Sequence, residues 1–260
     1  MYVKSPLNYT GGKFKILEPI FQEFPKNIRT FVDVFAGGFN VGINVQAETI
    51  ICNDQITSLI ELFQLFQRTG IEQLLRDIKG LIETYGLTQH NTDGYYSLRA
   101  EYNRTKDLTQ LFVLTCYAFN HQIRFNNSHE FNSPFGRNRS SFNPNIEKNL
   151  TEFCKALHKK NIEFSNLDFT ELDYSALGGQ DLVYCDPPYL ISTGNYNDGN
   201  RGFKDWKEKE EQELLDLLDR LDRRGVRFAL SNVLFHKGLS NELLIEWSKK
   251  YHIHYIDTVS

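Results

Sequence analysis

Phe31-Val32-Asp33-Val34-Phe35-Ala36-Gly37-Gly38 reads as an apolar strand that stops on two adjacent glycines. Branched and aromatic side chains favour an extended, half-buried surface, whereas glycines permit φ > 0 and let backbone come close to a ligand. Residues 39–45 then read as the start of a helix, which puts the glycines at a strand-to-helix turn. The turn lacks G-x-G-x-x-G spacing and carries no lysine for phosphate, so it suits a nucleoside without phosphates better than a dinucleotide. Thr49-Ile50-Ile51-Cys52-Asn53-Asp54 is a second short strand, ending on an acid seventeen residues after Gly37. Asp54 there can accept both hydrogens of a ribose diol, or it can cap a helix that starts at Ile56.

The rhythm continues along the chain. Strand character recurs at residues 162–165, 181–185, 226–231 and 252–258, and helical periodicity at 14–23, 56–67, 70–85, 108–120, 146–160, 206–223 and 241–251. Strands alternating with helices at this spacing predict an α/β fold with an open, mostly parallel sheet. Ligands of such sheets collect at the C-terminal ends of strands, where residues 35–38, Asp54, Asp168 and Asp186 would all fall.

Residues 59–142 interrupt that rhythm and read as an inserted, mainly helical lobe closing over the strand tips, leaving 1–58 and 143–260 for the sheet domain. Within the lobe, residues 122–132 alternate bulky and polar groups about a turn at Asn127-Ser128, as a two-stranded ribbon able to enter a major groove would. Ser133-Pro134-Phe135-Gly136-Arg137-Asn138-Arg139 follows as a rigid turn with two guanidinium groups. A plain surface hairpin is the alternative for this region.

At 260 residues and 40% hydrophobic content the chain can support one sizeable core and a smaller lobe. Its formal net charge of -4 argues against coating nucleic acid through overall charge, yet residues 120–160 hold seven basic residues against three acids. Cys52, Cys116, Cys154 and Cys185 have no metal-binding spacing and read as reduced, buried small residues. No run approaches eighteen apolar residues and residues 1–6 lack a signal-peptide core, so the expectation is a soluble cytoplasmic protein without membrane attachment.

The densest chemistry lies in Asp186-Pro187-Pro188-Tyr189, at the end of the apolar run Leu182-Val183-Tyr184-Cys185. A carboxylate and a prolyl carbonyl, stiffened by two prolines beside an aromatic ring, suit a flat ring that bears an amino group, such as adenine. The plainer reading is a strand end with a proline stop and a packed tyrosine. Residues 191–203, rich in glycine and asparagine, follow as a candidate flap or an ordinary loop.

With these pieces assembled, the chain resembles the Dam-type DNA adenine methyltransferases, close to phage members of the alpha group, across nearly its full length. The matching residues are Tyr9-Thr10-Gly11-Gly12-Lys13, Phe35-Ala36-Gly37-Gly38, the 124–137 region, Asp168-Phe169 and Asp186-Pro187-Pro188-Tyr189, in that order. The resemblance implies a Rossmann-like methyltransferase sheet using S-adenosyl-L-methionine, with residues 59–142 as a target-recognition domain. It implies that Tyr9 and Lys13 help hold the cofactor, that Phe35 packs beside it, and that Gly37 and Gly38 approach its methionine part. Asp54 would take the ribose hydroxyls, and Asp168 and Phe169 the cofactor adenine. Arg124 and Pro134 match positions that read the first guanine of GATC, with Asn126 and Arg137 in the same DNA-reading region.

The implied reaction methylates N6 of an adenine swung out of double-stranded DNA, with Asp186 and Pro187 accepting its amino hydrogens and Tyr189 stacking on the base. No metal site is implied. The alternatives are an N4-cytosine methyltransferase and a catalytically inactive DNA-binding relative. A restriction endonuclease counterpart is left open, and methylation of one adenine at a time is compatible with a monomer.

Overall fold

The computed structural model describes residues 2–9, 11–191 and 206–256. Five strands, β1 (Thr30–Asp33), β2 (Thr49–Asn53), β3 (Ile162–Ser165), β4 (Leu182–Cys185) and β5 (Arg227–Leu230), form one sheet in the order β3-β2-β1-β4-β5. Every neighbouring pair is parallel. The helices are α1 (Leu17–Glu23), α2 (Thr57–Arg68), α3 (Ile71–Thr84), α4 (Thr92–Thr105), α5 (Leu108–Tyr117), α6 (Pro144–Lys159), α7 (Glu208–Arg223) and α8 (Glu242–Ser248).

The chain divides into two compact units. The described part of the first is residues 2–9, 11, 12 and 56–159, and of the second 13–55, 160–191 and 206–256. All five strands belong to the second. Interior strand β4 is buried at every position, as a parallel strand covered on both faces must be, and its apolar sequence follows from that. β1 has β2 on one side and β4 on the other, so the direction of winding reverses at β1. Such a switch point opens a crevice at the carboxyl ends of the strands.

On one face, Val32, Val34, Val183 and Cys185 pack with Leu214, Leu217, Leu218 and Leu221 of α7. Those leucines recur at helical spacing, and each fully buried one contributes about 1.5–3 kcal/mol of transfer free energy. At the opposite end of the strands, buried Asp181 accepts from Arg29 Nε and Nη2 at 2.9 and 2.5 Å and from the Thr30 and Gly178 amides at 2.9 and 2.8 Å. Burial raises the Asp181 pKa, but these donors outweigh it and bring the group down to about 2.

The first unit is helical. α5 is buried from Leu111 to Tyr117, with neighbours all round it. Phe66 meets Phe112 edge-on at 5.2 Å, and Phe63 packs on Phe153 of α6 at 5.6 Å. This aromatic packing ties α6 to the helical unit, which runs to Lys159.

Four local features differ from expectation. Residues 39–45 form successive turns instead of a helix: Phe39 is left-handed at φ 57°, and the Phe-Asn-Val-Gly-Ile-Asn-Val composition disfavours helix throughout. Residues 252–256 pair with no strand, and 257–258 lie outside the described residues. α4 was not anticipated, because Asp, Gly, Tyr and Asn weaken its propensity; the buried stripe Tyr95, Leu98, Tyr102 and an Asn91 cap on the Gly94 amide at 3.0 Å hold it. A short hairpin, β6 (Phe235–His236) with β7 (Leu239–Ser240), also went unforeseen. Most of the stretch 191–203 lies outside the described residues. No described helix is long and apolar enough to cross a membrane.

Candidate active site

Asp186 follows directly on β4, where the last strand residue Cys185 still bonds to the Ser231 amide. Its carboxylate is held from both sides. Lys13 Nζ donates to Oδ2 at 2.5 Å and the Tyr189 hydroxyl donates to Oδ1 at 2.9 Å. The ammonium also lies 5.3 Å from the centre of the Tyr189 ring. Burial raises the Asp186 pKa, and Lys13 and Tyr189 oppose that without cancelling it. Lys13 is itself 9% exposed, so it is no solvated lysine near a terminus. Pro187 is buried and Tyr189 half-buried.

Beside β4, the end of β1 builds the glycine turn. Gly37 is left-handed at φ 49°, as its position required. Its amide donates to Asp54 Oδ2 at 2.8 Å, so the acid at the tip of β2 holds the turn in place. Asp33, 2% exposed, accepts the Gly42 amide at 3.0 Å. Burial pushes its carboxyl up to about 8, with the negative charges of Asp186 and Asp54 adding to the effect. A Cβ on Gly42 would fall 2.1 Å from the Phe39 ring and 2.9 Å from Asp33 Oδ2, so only glycine fits there.

Past β3, Asp168 Oδ1 accepts the Thr170 amide and hydroxyl at 2.9 and 2.6 Å, while its Oδ2 accepts Gln55 Nε2. It therefore does cap a turn. Buried Phe169 lies 5.6 Å from the half-buried ring of Phe35, and Trp206 packs on both. Lys13, Phe35, Gly37, Gly38, Asp54, Asp168, Phe169, Asp186, Pro187 and Tyr189 all belong to the sheet unit, whereas Tyr9 falls in the helical unit. Two carboxylates, an aromatic face and a glycine turn without a phosphate-binding lysine fit a nucleoside carrying a positive charge, as S-adenosyl-L-methionine does.

The helical unit carries the other residues. Phe125 and Phe131 form a single antiparallel bridge, and the Asn126 amide donates to Glu130 O at 2.9 Å across the turn at Asn127-Ser128. The Asn126 side chain is occupied in bracing that turn: Oδ1 takes the Ser128 and Glu130 amides at 3.0 and 2.9 Å, and Nδ2 donates to Glu130 Oε2 at 3.0 Å. Arg124, Pro134 and Arg137 are exposed, and neither arginine has an ion-pair partner among the described residues. Asn103 of α4 grips the ribbon as a neighbouring strand would, accepting the Phe131 amide at 2.8 Å and donating to Phe131 O at 3.2 Å. Tyr95 and Lys106 add bonds to Ser133 O at 2.9 Å and His129 O at 3.1 Å.

Residues 9–260 match the family described as D12 class N6 adenine-specific DNA methyltransferase. The chain belongs to that family. Over 98% of its length it is 55% identical to the type II methyltransferase M.FokI of Planomicrobium okeanokoites and 48% identical to the modification methylase StsI of Streptococcus sanguinis. It spans only 39% and 40% of those two proteins. The DNA adenine methylase of Escherichia coli is more distant, 28% identical over 73% of this chain and 67% of that protein. Similarity to the Dam enzymes is thus real but weaker than similarity to these modification methylases.

For this D12-class chain, reading the residues in order picked out the glycine turn and the Asp-Pro-Pro-Tyr tip but not the neighbouring Asp33 and Trp206, nor Asn103 beside the ribbon. Asp33 stood in plain view within the first strand, where a lone acid among apolar neighbours was the available signal. Asn103 had none, since its value depends on a segment twenty-eight residues away.

Proposed function

We propose that this chain transfers a methyl group from S-adenosyl-L-methionine to the N6 amino group of an adenine in double-stranded DNA. The observation that carries the reading is the Asp186 carboxylate, fixed by Lys13 and Tyr189 at the end of β4 and followed by two prolines. Each carboxylate oxygen accepts one bond from the protein and keeps a lone pair free for an amino hydrogen. Asp186 and the Pro187 carbonyl would take the two amino hydrogens and draw the nitrogen toward tetrahedral geometry, directing its lone pair outward. Tyr189 would stack on the extruded base, its hydroxyl already held by Asp186. The cofactor supplies an electrophilic methyl group on a sulfonium sulfur. Lys13, Phe35, Asp54, Asp168 and Phe169, with the turn at Gly37 and Gly38 and with Tyr9, are the residues proposed to hold it.

The helical unit takes the role of target recognition in this reading, with Arg124, Pro134 and Arg137 facing base edges and Asn126 shaping the ribbon that presents them. A guanidinium bonding guanine O6 and N7 contributes about 1–3 kcal/mol of discrimination. GATC is the proposed target through those positions, and the names of the more similar relatives favour a restriction-modification setting with an endonuclease counterpart. Action as a monomer in the cytoplasm completes the proposal.

Radiolabelled methyl transfer to a short GATC duplex, measured against permuted duplexes and followed by nucleoside analysis, tests both parts. Label in N6-methyladenine from GATC alone supports them. Label in N4-methylcytosine would overturn the adenine reading, and equal labelling of permuted duplexes would overturn the target.

A further inference from the structure

Glu211, on the first turn of α7, is 0% exposed and has no ion-pair partner among the described residues. Its carboxylate is instead surrounded by neutral donors. Trp206 Nε1 donates to Oε2 at 2.6 Å, and the side-chain amides of Asn232 and Asn241 donate to Oε1 at 3.2 and 2.9 Å. The two asparagines cannot turn the other way round, because Asn232 Oδ1 accepts the Val233 amide at 2.7 Å and Asn241 Oδ1 accepts the Leu244 amide at 3.1 Å. Three N–H groups converge on the two carboxylate oxygens of Glu211. Burial, the largest influence, raises the Glu211 pKa, and the three bonds oppose that without cancelling it.

A buried acid met by three neutral donors among the described residues is costly to desolvate, and packing alone would be served as well by an apolar side chain. What Glu211 gathers suggests another purpose. Asn232 follows β5 by two residues and Asn241 caps α8, so both ends of the hairpin segment are tied to it. Trp206 closes an aromatic triangle: its ring meets Phe35 edge-on at 5.6 Å and Phe169 at 5.8 Å, and Phe35 and Phe169 are 5.6 Å apart. Phe35 is the half-buried member, at the carboxyl end of β1, with the other two behind it.

We propose that Glu211 is a positioning residue for the cofactor: by holding the Trp206 N–H it fixes the indole that backs Phe35, and so sets the aromatic wall against which the adenine ring of S-adenosyl-L-methionine lies. This rests on the reading that Phe35, Asp168 and Phe169 hold the cofactor. Glu211 touches neither cofactor nor substrate, and its effect passes through Trp206.

The test is S-adenosylhomocysteine binding by calorimetry to the parent, Glu211→Gln, Trp206→Phe and the double variant, with methyl transfer measured at saturating cofactor. Loss of one buried hydrogen bond predicts about tenfold weaker binding in each single variant. The double variant should bind no more weakly than Glu211→Gln, because both substitutions break the same link. Turnover at saturating cofactor stays within about threefold of the parent, and the Trp206 emission, taken as the parent minus Trp206→Phe, moves to the red in Glu211→Gln. Unchanged affinity in Glu211→Gln, or single losses that multiply in the double variant, would overturn the proposal. Should Glu211→Gln fail to fold, Trp206→Phe decides alone, and parent-like affinity there overturns it. A parent that binds no S-adenosylhomocysteine would remove the cofactor reading and this proposal together, an outcome distinct from a parent that binds and a variant that matches it.

Discussion

Lys13 and Asp186, 173 residues apart in sequence, meet in an ion pair of 2.5 Å with side chains only 10% and 18% exposed. The cation offsets part of the cost of burying that carboxylate, and in the proposed reaction it keeps the group an acceptor for the adenine amino hydrogens. The pair also puts the lysine against Asp186 itself, where the family likeness had implied a cofactor contact.

Removing the carboxylate should abolish chemistry while sparing the cofactor site. Asp186→Ala is expected to lower methyl transfer on the order of 10²–10³-fold, comparable to deleting one preorganised charge-stabilising group. Single-turnover transfer and S-adenosylhomocysteine binding check it. Parent-like turnover defeats the assignment.

The ion pair makes the reaction sensitive to pH in a stated direction. Burial holds the Asp186 pKa above its ordinary value, so methyl transfer should decline on acidification earlier than an ordinary aspartate would require. The sign follows from the role: protonation removes an acceptor. Lys13→Met deletes the opposing cation, so the acid limb of kcat/KM against pH should move to higher pH. A limb that stays put or moves lower contradicts the pairing.

Asp33 predicts a stability effect of opposite use. Its carboxyl is raised from 3.8 to about 8, so between those values the folded chain holds a proton that the unfolded chain has lost. Folding stability from this group is therefore greatest at low pH and declines as pH rises toward 8, on the order of 1 kcal/mol per pH unit. Asp33→Asn lacks that slope, so its stability relative to the parent should grow from pH 5.5 to 7.5 in urea melts. Parallel curves for the two proteins would rule this out.

Gly42→Ala sets a methyl group into the Phe39 ring and against Asp33 Oδ2. Overpacking there should destabilise by about 1–3 kcal/mol and weaken S-adenosylhomocysteine binding, because the same segment carries the glycine turn. Chemical denaturation and calorimetry together measure it, and an unchanged midpoint would mean that the ring moves aside at little cost.

Asn103→Ala leaves the Phe131 amide and carbonyl without their partners, a loss of about 1–3 kcal/mol in ordering the ribbon. The KM for duplex DNA should rise about tenfold or more while cofactor affinity holds. Steady-state kinetics at varied duplex concentration separate the two, and a fall in cofactor affinity instead would place Asn103 elsewhere in the mechanism.

How far the sequence could be read depended on what each residue answers to. β1, β2 and β4 were legible because buried parallel strands require apolar runs, and Gly37 because a left-handed turn requires glycine. Asp186 announced itself through the prolines that follow it. Residues 39–45 misled because apolar content imitates a helix while Phe39 takes a backbone conformation that composition does not advertise. α4 hid behind poor propensity, its helix secured by burial of Tyr95, Leu98 and Tyr102 rather than by local preference. Glu211 and Asn103 look like ordinary polar residues on helix surfaces, and only the segments they meet in three dimensions give them meaning.

The ribbon spanning Phe125 and Phe131 hangs from α4 by an asparagine amide that stands in for a whole adjoining strand. Fastened this way, with Tyr95 on Ser133 O and Lys106 on His129 O as further ties, the ribbon can change its outward side chains, Asn126 excepted, without disturbing a sheet ladder. If the ribbon reads DNA as proposed, a change of the word it reads needs altered side chains on this finger alone, with no rethreading of the chain.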